Sequence, residues 1–403
     1  MKCVLFVDDE PHLIDGLRVS MRRMREKWEM EFAGSGREAI DLLERRSFDV
    51  IVTDQRMPEM DGASLLKVVR ERWPQTVRIV LSGYADLAQT VQLVPVAHQY
   101  ISKPCQSSEL ENVIDRCIAL RDLIQRPTLR ALVGKLGVIP PAPATYAALQ
   151  LAIASDSTTV SDIAGLVMRD TVVTGKLLQM VNSGFFRLPR RVASVTQAVN
   201  YLGLNIVRNL VVSAEVFCKW PVGSAPSSPD LEILQTHASH VAATMMKIAP
   251  GCSIDGDALL AGLLHDIGYW VLSHGHAKEL AEAQELARAE SIPMDHAEER
   301  VLGASHAEIG AYLLGIWGFP SSIVEAVAHH HAPCAVKPAG FDTLAALCIA
   351  HALTEPGELV AFPGLSVPHS EISPEYLIAV QAPFTWEEAS ASAWSLRAGE
   401  STS

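Results

Sequence analysis

Short apolar runs alternate with amphipathic segments along residues 1–122. The run Phe48–Thr53 has the apolar and β-branched composition of a buried strand, and it stops at Asp54. Strands that alternate with helices predict a parallel sheet with right-handed crossovers, an α/β fold. The other predicted strands are Cys3–Val7, Glu29–Ala33, Val77–Leu81 and Gln99–Ser102, and the predicted helices begin at Pro11, cover Gly36–Arg45, contain Leu65–Val69 and cover Asp86–Val94.

Polar side chains follow the predicted strands at their carboxyl ends. Asp8 and Asp9 follow the first strand, Asp54 the third, Ser82 the fourth and Lys103 the fifth. Because the carboxyl ends of parallel strands share one edge, we expect these side chains to converge rather than to be unrelated loop residues. Carboxylates that meet there need a cation, and a lysine with a hydroxyl can take phosphoryl oxygens. The pattern predicts a Mg²⁺ site beside a phosphoryl group.

These motifs resemble the receiver domain of bacterial two-component response regulators. The matching segments are Val7-Asp8-Asp9-Glu10, Asp54 to Gly62, Leu81-Ser82-Gly83 and Ser102-Lys103-Pro104. The resemblance implies a flavodoxin-like (βα)5 domain over residues 1–122, in which Asp54 accepts phosphate from a sensor histidine kinase. It also implies roles for the surrounding residues: Mg²⁺ ligands at Asp8, Asp9, Asp54 and the main-chain carbonyl of Arg56, phosphoryl contacts at Ser82 and Lys103, and an inward turn of Tyr100 on activation.

A second apolar stripe continues beyond this domain and predicts a connecting signalling helix over residues 123–137. Pro127 interrupts the stripe, which starts at Leu110 and resumes at Leu129. The stripe either packs on the neighbouring domains or dimerises the chain, and the pattern leaves both alternatives open.

Beyond residue 138 the strand pattern disappears and helical periodicity dominates. The predicted helices are Thr145–Ala154, Val160–Arg169, Val172–Asn182, Val195–Leu202, Ile206–Phe217 and further segments from Leu231 onward. Histidines recur in these apolar surroundings, together with one aspartate: His237, His265, Asp266, His306, His329, His330, His331 and His351. A single histidine of this kind is commonly a core or surface residue. As a set, imidazoles and a carboxylate that project inward from several helices predict a site for Fe, Mn or Zn.

Residues 138–351 resemble the HDOD domain, an output domain related to the HD superfamily of metal-dependent phosphohydrolases. The resemblance rests on Ile139 to Pro143, Val181-Asn182-Ser183, Leu202-Gly203, His265-Asp266-Ile267-Gly268, Glu308-Ile309-Gly310 and the histidines from 329 to 331. In HD enzymes the matching positions ligate one or two metals that activate water for attack on a phosphoester. HDOD domains as a class lack a full ligand set and act as interaction or regulatory modules.

The chain departs from the HD enzymes at three places. His351 stands where those enzymes carry an aspartate, and Tyr269 stands where the HD-GYP phosphodiesterases carry a lysine. Their Gly-Tyr-Pro signature is absent after His331. We therefore expect a response regulator whose HDOD domain binds an unknown downstream signalling protein. The alternative is a metal-dependent phosphohydrolase of a nucleotide or cyclic nucleotide under receiver control.

Composition narrows the remaining function classes. A net charge of −13 argues against direct DNA binding through a broad basic surface, and no helix-turn-helix pattern is visible. No apolar stretch reaches the ~18 residues that span a bilayer. The seven cysteines lack Cys-x-x-Cys spacing, which favours reduced thiols in a cytoplasmic protein.

Residues 352–403 predict a helical C-terminal extension, with helices at Ser373–Val380 and Glu387–Leu396.

Overall fold

The computed structural model describes residues 2–82, 96–123, 127–135, 158–182, 194–203, 231–248, 255–337, 340–354 and 372–390, with the single residues 149, 152, 192 and 207. Several predictions lie outside the described residues: the helix Asp86–Val94, the proline-rich segment 139–143, nearly all of Thr145–Ala154 and Ile206–Phe217, and the end of Glu387–Leu396. No helix in the described part of the chain is long and apolar enough to cross a membrane.

The N-terminal part is a five-stranded parallel sheet, as the sequence predicted. Its strands are β1 (Lys2–Val7), β2 (Trp28–Ala33), β3 (Val50–Asp54), β4 (Val77–Ser82) and β5 (Gln99–Ser102), in the order β2-β1-β3-β4-β5. Val7 pairs with Thr53 and Asp54 pairs with Leu81, so these strands end at one edge. Phe48 precedes β3 because its carbonyl accepts a hydrogen bond from the Thr76 hydroxyl instead of joining the ladder.

Helices cover the two faces of the sheet, and their ends follow local capping chemistry. They are α1 (Pro11–Ser20), α2 (Gly36–Arg45), α3 (Gly62–Arg72) and α4 (Ser107–Leu123). Ser35 caps α2 by accepting from the N–H of Glu38, and Asp61 caps α3 by accepting from the N–H of Ser64. Within the predicted connector, the structure describes one helix, α5 (Pro127–Lys135).

The C-terminal part is helical in its described residues, which confirms the predicted change of fold class. Its helices are α6 (Val160–Met168), α7 (Thr171–Val181), α8 (Val195–Leu202), α9 (Leu231–Ile248), α10 (Asp255–Leu264), α11 (Ile267–Gly275), α12 (Ala277–Glu290), α13 (Met294–Leu302), α14 (His306–Ile316), α15 (Ser321–His329), α16 (Thr343–Thr354) and α17 (Pro374–Ala379). Every residue of α14 except Glu308 is buried, and α16 is buried nearly throughout. These two helices form the centre of the helical core.

The sheet and the helical part share a packed interface. Val4, Val52 and Ile79 on one face of the sheet belong to the same continuous hydrophobic core as helices α14 and α16. From the helical part, the Gln179 amide donates to the carbonyl of His98 at 2.7 Å. The two parts are therefore joined by apolar packing and by hydrogen bonds.

A fully buried arginine on β4 ties α5 to the sheet. The Arg78 guanidinium donates to the carbonyl oxygens of Val96 at 2.6 Å, Gly134 at 2.6 Å and Thr76 at 3.3 Å. Its Nη2 lies 2.8 Å from Nε2 of His98. Burial lowers the pKa of Arg78 to about 9, so the side chain stays charged at neutral pH. This contact was not predicted from the strand pattern.

Candidate functional site

Two carboxylates and one lysine meet at the carboxyl edge of the sheet. Asp8 follows β1 and Asp54 ends β3, and both side chains are buried. Lys103 Nζ follows β5 and donates to Asp8 Oδ2 at 2.7 Å and to Asp54 Oδ1. Burial alone would lower the pKa of Lys103, but the hydrogen bonds and charges of these carboxylates outweigh it and raise the pKa. The lysine is thus held as a cation between the two carboxylates.

The other residues predicted for this site lie around that group. Asp9 is partly buried directly after Asp8. The backbone N–H of Arg56 donates to Asp54 Oδ2 at 2.6 Å. Ser82 ends β4, although its side chain lies outside the described residues, and Tyr100 on β5 is buried, which raises the pKa of its hydroxyl. Carboxylate oxygens are the ligands that Mg²⁺ prefers, so this edge fits that ion.

A second site forms in the helical part, where six histidines and one aspartate converge. We call these residues the histidine cluster: His237 on α9, His265 and Asp266 between α10 and α11, His306 on α14, His330 and His331 after α15, and His351 on α16. The ligand atoms of each of three groups lie within 4.8 Å of one another: His237 with His265 and His351, His306 with His330 and His331, and His265 with Asp266 and His330. The sequence named all seven residues, and the structure brings them together.

Asp266 lies between the two histidine triads. Its Oδ2 is 3.2 Å from Nε2 of His265 and 3.9 Å from Nε2 of His237. Its Oδ1 is 3.5 Å from Nε2 of His306 and 3.8 Å from Nε2 of His330. Burial alone would raise the pKa of Asp266, but the surrounding histidines hold it well below its usual value. One carboxylate therefore presents a separate oxygen to each triad.

Partners outside the cluster fix the orientation of three of its imidazoles. Nδ1 of His265 lies 2.8 Å from the carbonyl of Gly262, and Nδ1 of His330 lies 2.8 Å from the carbonyl of Val327. When Nδ1 donates to these oxygens, the lone pair of Nε2 faces the cluster. Among the described residues, Nε2 of His265, Nε2 of His330 and Oδ1 of Asp266 are buried without a hydrogen-bond partner. Inward donor atoms of this kind fit a bound metal ion.

Glu298 on α13 holds the third imidazole. Its Oε2 accepts from the backbone N–H of His306 and lies 2.7 Å from Nδ1 of the same residue. Burial lowers the pKa of His306, but the Glu298 carboxylate outweighs it and raises the pKa to about 9. Glu298 was not among the residues predicted from the sequence. The available signal was its helical spacing with the buried residues Met294 and Leu302, which puts a carboxylate on an apolar face.

Four other imidazoles of the cluster, those of His237, His330, His331 and His351, are neutral at neutral pH. Burial lowers the pKa of His237 to about 3 and that of His331 to about 4. It also holds the pKa values of His330 and His351 well below the usual range. Metal ions bind neutral imidazole, so these side chains are ready donors.

A glycine places two of the helices in direct backbone contact beside the cluster. A Cβ on Gly268 of α11 would lie 2.0 Å from the carbonyl oxygen of His306 on α14. Only glycine allows this approach. The Tyr269 ring then stacks on the His306 imidazole, with centroids 4.0 Å apart and planes at 15°. The segment from Asp266 to Gly268 thus supplies a carboxylate of the cluster and the backbone surface on which His306 packs.

Comparison with known proteins finds a family match for each of the two parts of the chain. The family model "Response regulator receiver domain" matches residues 4–115, and the model "HDOD domain" matches residues 139–333. An uncharacterized protein of Treponema pallidum is 27% identical over 243 residues, which are 57% of this chain and 46% of that protein. The hydrogenase transcriptional regulatory protein HoxA of Cupriavidus necator is 41% identical over 122 residues, 30% of this chain and 25% of HoxA. The chain spans less than half the length of these two relatives.

Among solved structures, the MmoQ response regulator of Methylococcus capsulatus matches with a TM-score of 0.48 and 21% identity. The match covers 63% of this chain and 98% of that one. His351 lies beyond the residues that the HDOD model matches. As the two family models show, the chain contains a response regulator receiver domain at residues 4–115 and an HDOD domain at residues 139–333.

Proposed function

We propose that this chain is a phosphorelay response regulator in which Asp54 takes the phosphoryl group and the HDOD domain carries the output. The single observation behind the input half is the contact of Lys103 with Asp8 and Asp54 at the carboxyl edge of the sheet. A sensor histidine kinase is the expected donor, since receiver domains in general are phosphorylated by such kinases. The output is the binding of a downstream signalling protein by the HDOD domain.

The chemistry at Asp54 follows from its neighbours. An Asp54 oxygen attacks the phosphorus of the kinase phosphohistidine, the P–N bond breaks as the new O–P bond forms, and the imidazole leaves with the electron pair of the broken bond. With acetyl phosphate, acetate is the leaving group. In both cases the phosphoryl group remains on Asp54 as an acyl phosphate. Asp8, Asp9, Asp54 and the Arg56 carbonyl are the groups that would hold Mg²⁺, which supplies charge neutralisation at the phosphoryl oxygens when bound. Lys103 then exchanges its contact with the Asp54 carboxylate for one with a phosphoryl oxygen.

Phosphorylation with a small donor tests the input half. The full chain is incubated with acetyl phosphate and Mg²⁺, and intact-mass spectrometry measures the increase by one phosphoryl group. Uptake of one group that disappears on hydroxylamine treatment, as an acyl phosphate does, supports the proposal. A chain that takes up no phosphoryl group from acetyl phosphate or from any histidine kinase contradicts it.

Loss of the lysine should separate phosphorylation from its consequences. We expect the Lys103→Ala protein to accept phosphate from acetyl phosphate. Its HDOD domain should not show the change in hydrogen exchange that phosphorylation causes in the wild type. The reason is that Asp54 is still present, whereas the group that follows the phosphoryl oxygen is gone. Mass spectrometry measures labelling, and hydrogen exchange of the HDOD domain measures the response. A Lys103→Ala protein with a wild-type response would contradict this role, and Lys67→Ala on the exposed face of α3 is the control.

The histidine cluster favours a second candidate function, a metal-dependent phosphohydrolase acting on a nucleotide or cyclic nucleotide. Six histidines and Asp266 provide two donor groups that share one carboxylate. Metal ions held there would supply activation of water for attack on a phosphoester. The chain's own residues orient the donors through Gly262, Val327 and Glu298.

The donor set also predicts which metal the cluster selects. Imidazole suits Fe and Zn, whereas carboxylate and water suit Mn and Mg. With His351 in place of an aspartate, only Asp266 contributes a negative charge among the seven residues. We therefore expect Fe or Zn in preference to Mn. Elemental analysis of the purified chain decides whether a metal is present, and phosphodiesterase assays of the wild type and the His265→Ala variant decide whether it hydrolyses. A chain that neither retains nor takes up metal contradicts this second candidate.

Removal of the Glu298 charge should weaken metal binding without removing a ligand. We expect the Glu298→Gln substitution to lower metal affinity about 10- to 100-fold, as the loss of a carboxylate behind a ligating histidine does. The glutamine side chain keeps the shape but loses the charge that holds Nδ1 of His306. Competition with a chelator measures the affinity. Glu299→Gln, on the exposed side of the same helix, is the matched control, and equal losses in both variants would contradict the role of Glu298.

A further inference from the structure

Helix α14 reaches from the histidine cluster to the receiver domain. Its first residue is His306, a member of the cluster. The segment that follows its last turn, Trp317 to Phe319, lies against α4 and β5 of the receiver. A rigid helix of 11 residues spans about 16 Å. One buried element thus joins the histidine cluster to β5 and α4 of the receiver.

The cluster end of α14 is held by close backbone contacts. Besides the contact of Gly268 with His306, a Cβ on Gly310 would lie 3.2 Å from the backbone N of Gly268. Glu298 accepts from both the backbone and the ring of His306. Metal–ligand distances tolerate deviations of only about 0.2 Å. A shift of α14 along or about its axis moves His306. A movement larger than this tolerance therefore changes the affinity of the cluster for a metal ion.

The receiver end of α14 meets β5, the strand that carries Tyr100 and leads to Lys103. Nε2 of Gln99 lies 3.5 Å from the carbonyl of Gly315, and Nη1 of Arg116 on α4 lies 3.5 Å from the carbonyl of Phe319. Both contacts join the receiver to carbonyl groups at the end of α14. A change in the position of β5 or α4 is thus transmitted to this helix.

Unfilled space lies between β5 of the receiver and the end of α14. A half-open cleft of about 190 Å³ is bordered by Tyr100 and Arg116 from the receiver and by Gln179 and Trp317 from the HDOD domain. Close-packed interiors resist small displacements, whereas side chains that line an open cleft have room for a second arrangement. The side chains between β5 and the end of α14 therefore have room to rearrange when Lys103 changes its contacts.

We propose that helix α14 links phosphoryl occupancy of Asp54 to metal affinity at the histidine cluster, so that each site changes the affinity of the other by the same factor. This inference rests on the proposed function, because it requires both sites to bind their ligands. Linkage between two binding equilibria is reciprocal by necessity. Metal binding at the cluster thus changes the phosphoryl affinity of the receiver, just as phosphoryl occupancy changes the metal affinity of the cluster.

A thermodynamic cycle on the full chain tests the linkage. Beryllofluoride serves as an equilibrium analogue of the phosphoryl group, and Co²⁺, whose absorption spectrum reports its coordination, occupies the cluster. Mg²⁺ needed by the receiver is a poor competitor for imidazole nitrogen. Calorimetric titration gives each affinity with and without the other ligand. We expect both affinities to change by one common factor of about 5 to 150.

Two variants show whether the linkage passes through α14. In the Gln99→Ala, Arg116→Ala double variant the common factor should fall towards one, while each ligand still binds alone. Arg72→Ala removes an exposed ion pair between α3 and Glu44 of α2 within the receiver, and it should keep the wild-type factor. The proposal is overturned if both ligands bind the wild type without changing each other's affinity, or if the two variants behave alike. Failure of beryllofluoride to bind removes the phosphorelay proposal, failure of Co²⁺ to bind removes the metal-dependent candidate function, and either failure removes this linkage with it.

Discussion

The Asp54→Asn protein is expected to take up no phosphoryl group from acetyl phosphate, under conditions in which the wild type is labelled. An amide is not a nucleophile towards phosphorus, whereas the Asp54 carboxylate ends β3 beside Lys103. Asp8 is 1% exposed against 9% for Asp54, so its carboxylate is the less accessible of the two to a phosphoryl donor. Intact-mass spectrometry over a time course of labelling makes the measurement.

The control for this experiment is Asp41→Asn, which removes an exposed carboxylate from α2 without touching the edge of the sheet. That protein should be labelled as fully as the wild type. Circular dichroism establishes that both variants are folded. Full labelling of the Asp54→Asn protein would mean that another residue is the acceptor, and the site assignment would be wrong.

Asp266→Asn is expected to remove metal from both halves of the histidine cluster. Asp266 presents Oδ2 to His237 and His265 and Oδ1 to His306 and His330. The substitution keeps the shape of the side chain but removes the only negative charge among the seven residues. We expect affinity for Fe or Zn to fall at least about 100-fold, beyond the effect of losing a supporting residue. Chelator competition and elemental analysis measure affinity and stoichiometry.

The matched control is Asp295→Asn on α13, a partly buried aspartate near the cluster that belongs to none of the candidate ligand groups. Its metal content should equal that of the wild type. If Asp266→Asn retained the wild-type amount of metal, the carboxylate would not be a shared ligand. If it lost only half, one triad would bind metal without Asp266.

The carboxyl edge of the sheet could be predicted because strand ends are local features of a sequence. Asp8, Asp54 and Lys103 each follow an apolar run, and parallel pairing brings such ends together whatever the rest of the chain does. The histidines were predicted as a set from their recurrence in apolar helical segments, and the resemblance to the HD enzymes then indicated which of them match metal ligands. Their convergence depends on packing among α9, α14 and α16, which periodicity alone does not specify.

Tertiary contacts account for what the sequence reasoning missed. Glu298 supports His306 across the turn between two helices, and its helix pattern could equally describe a solvated carboxylate. The contact of Gln99 with Gly315 joins residues 216 positions apart, and no local pattern records it. Features of this kind depend on how two domains meet.

The buried Arg78 sets a limit on how freely the receiver can be exchanged for another. One of its carbonyl acceptors is Gly134 on α5, and a Cβ there would lie 1.7 Å from the carbonyl oxygen of Pro74. A receiver cut from the chain before α5 leaves a buried guanidinium with one acceptor fewer, and a grafted receiver without arginine at this position leaves α5 without its contact. The two domains are therefore not interchangeable modules on a passive linker: each receiver must match the helix that follows it.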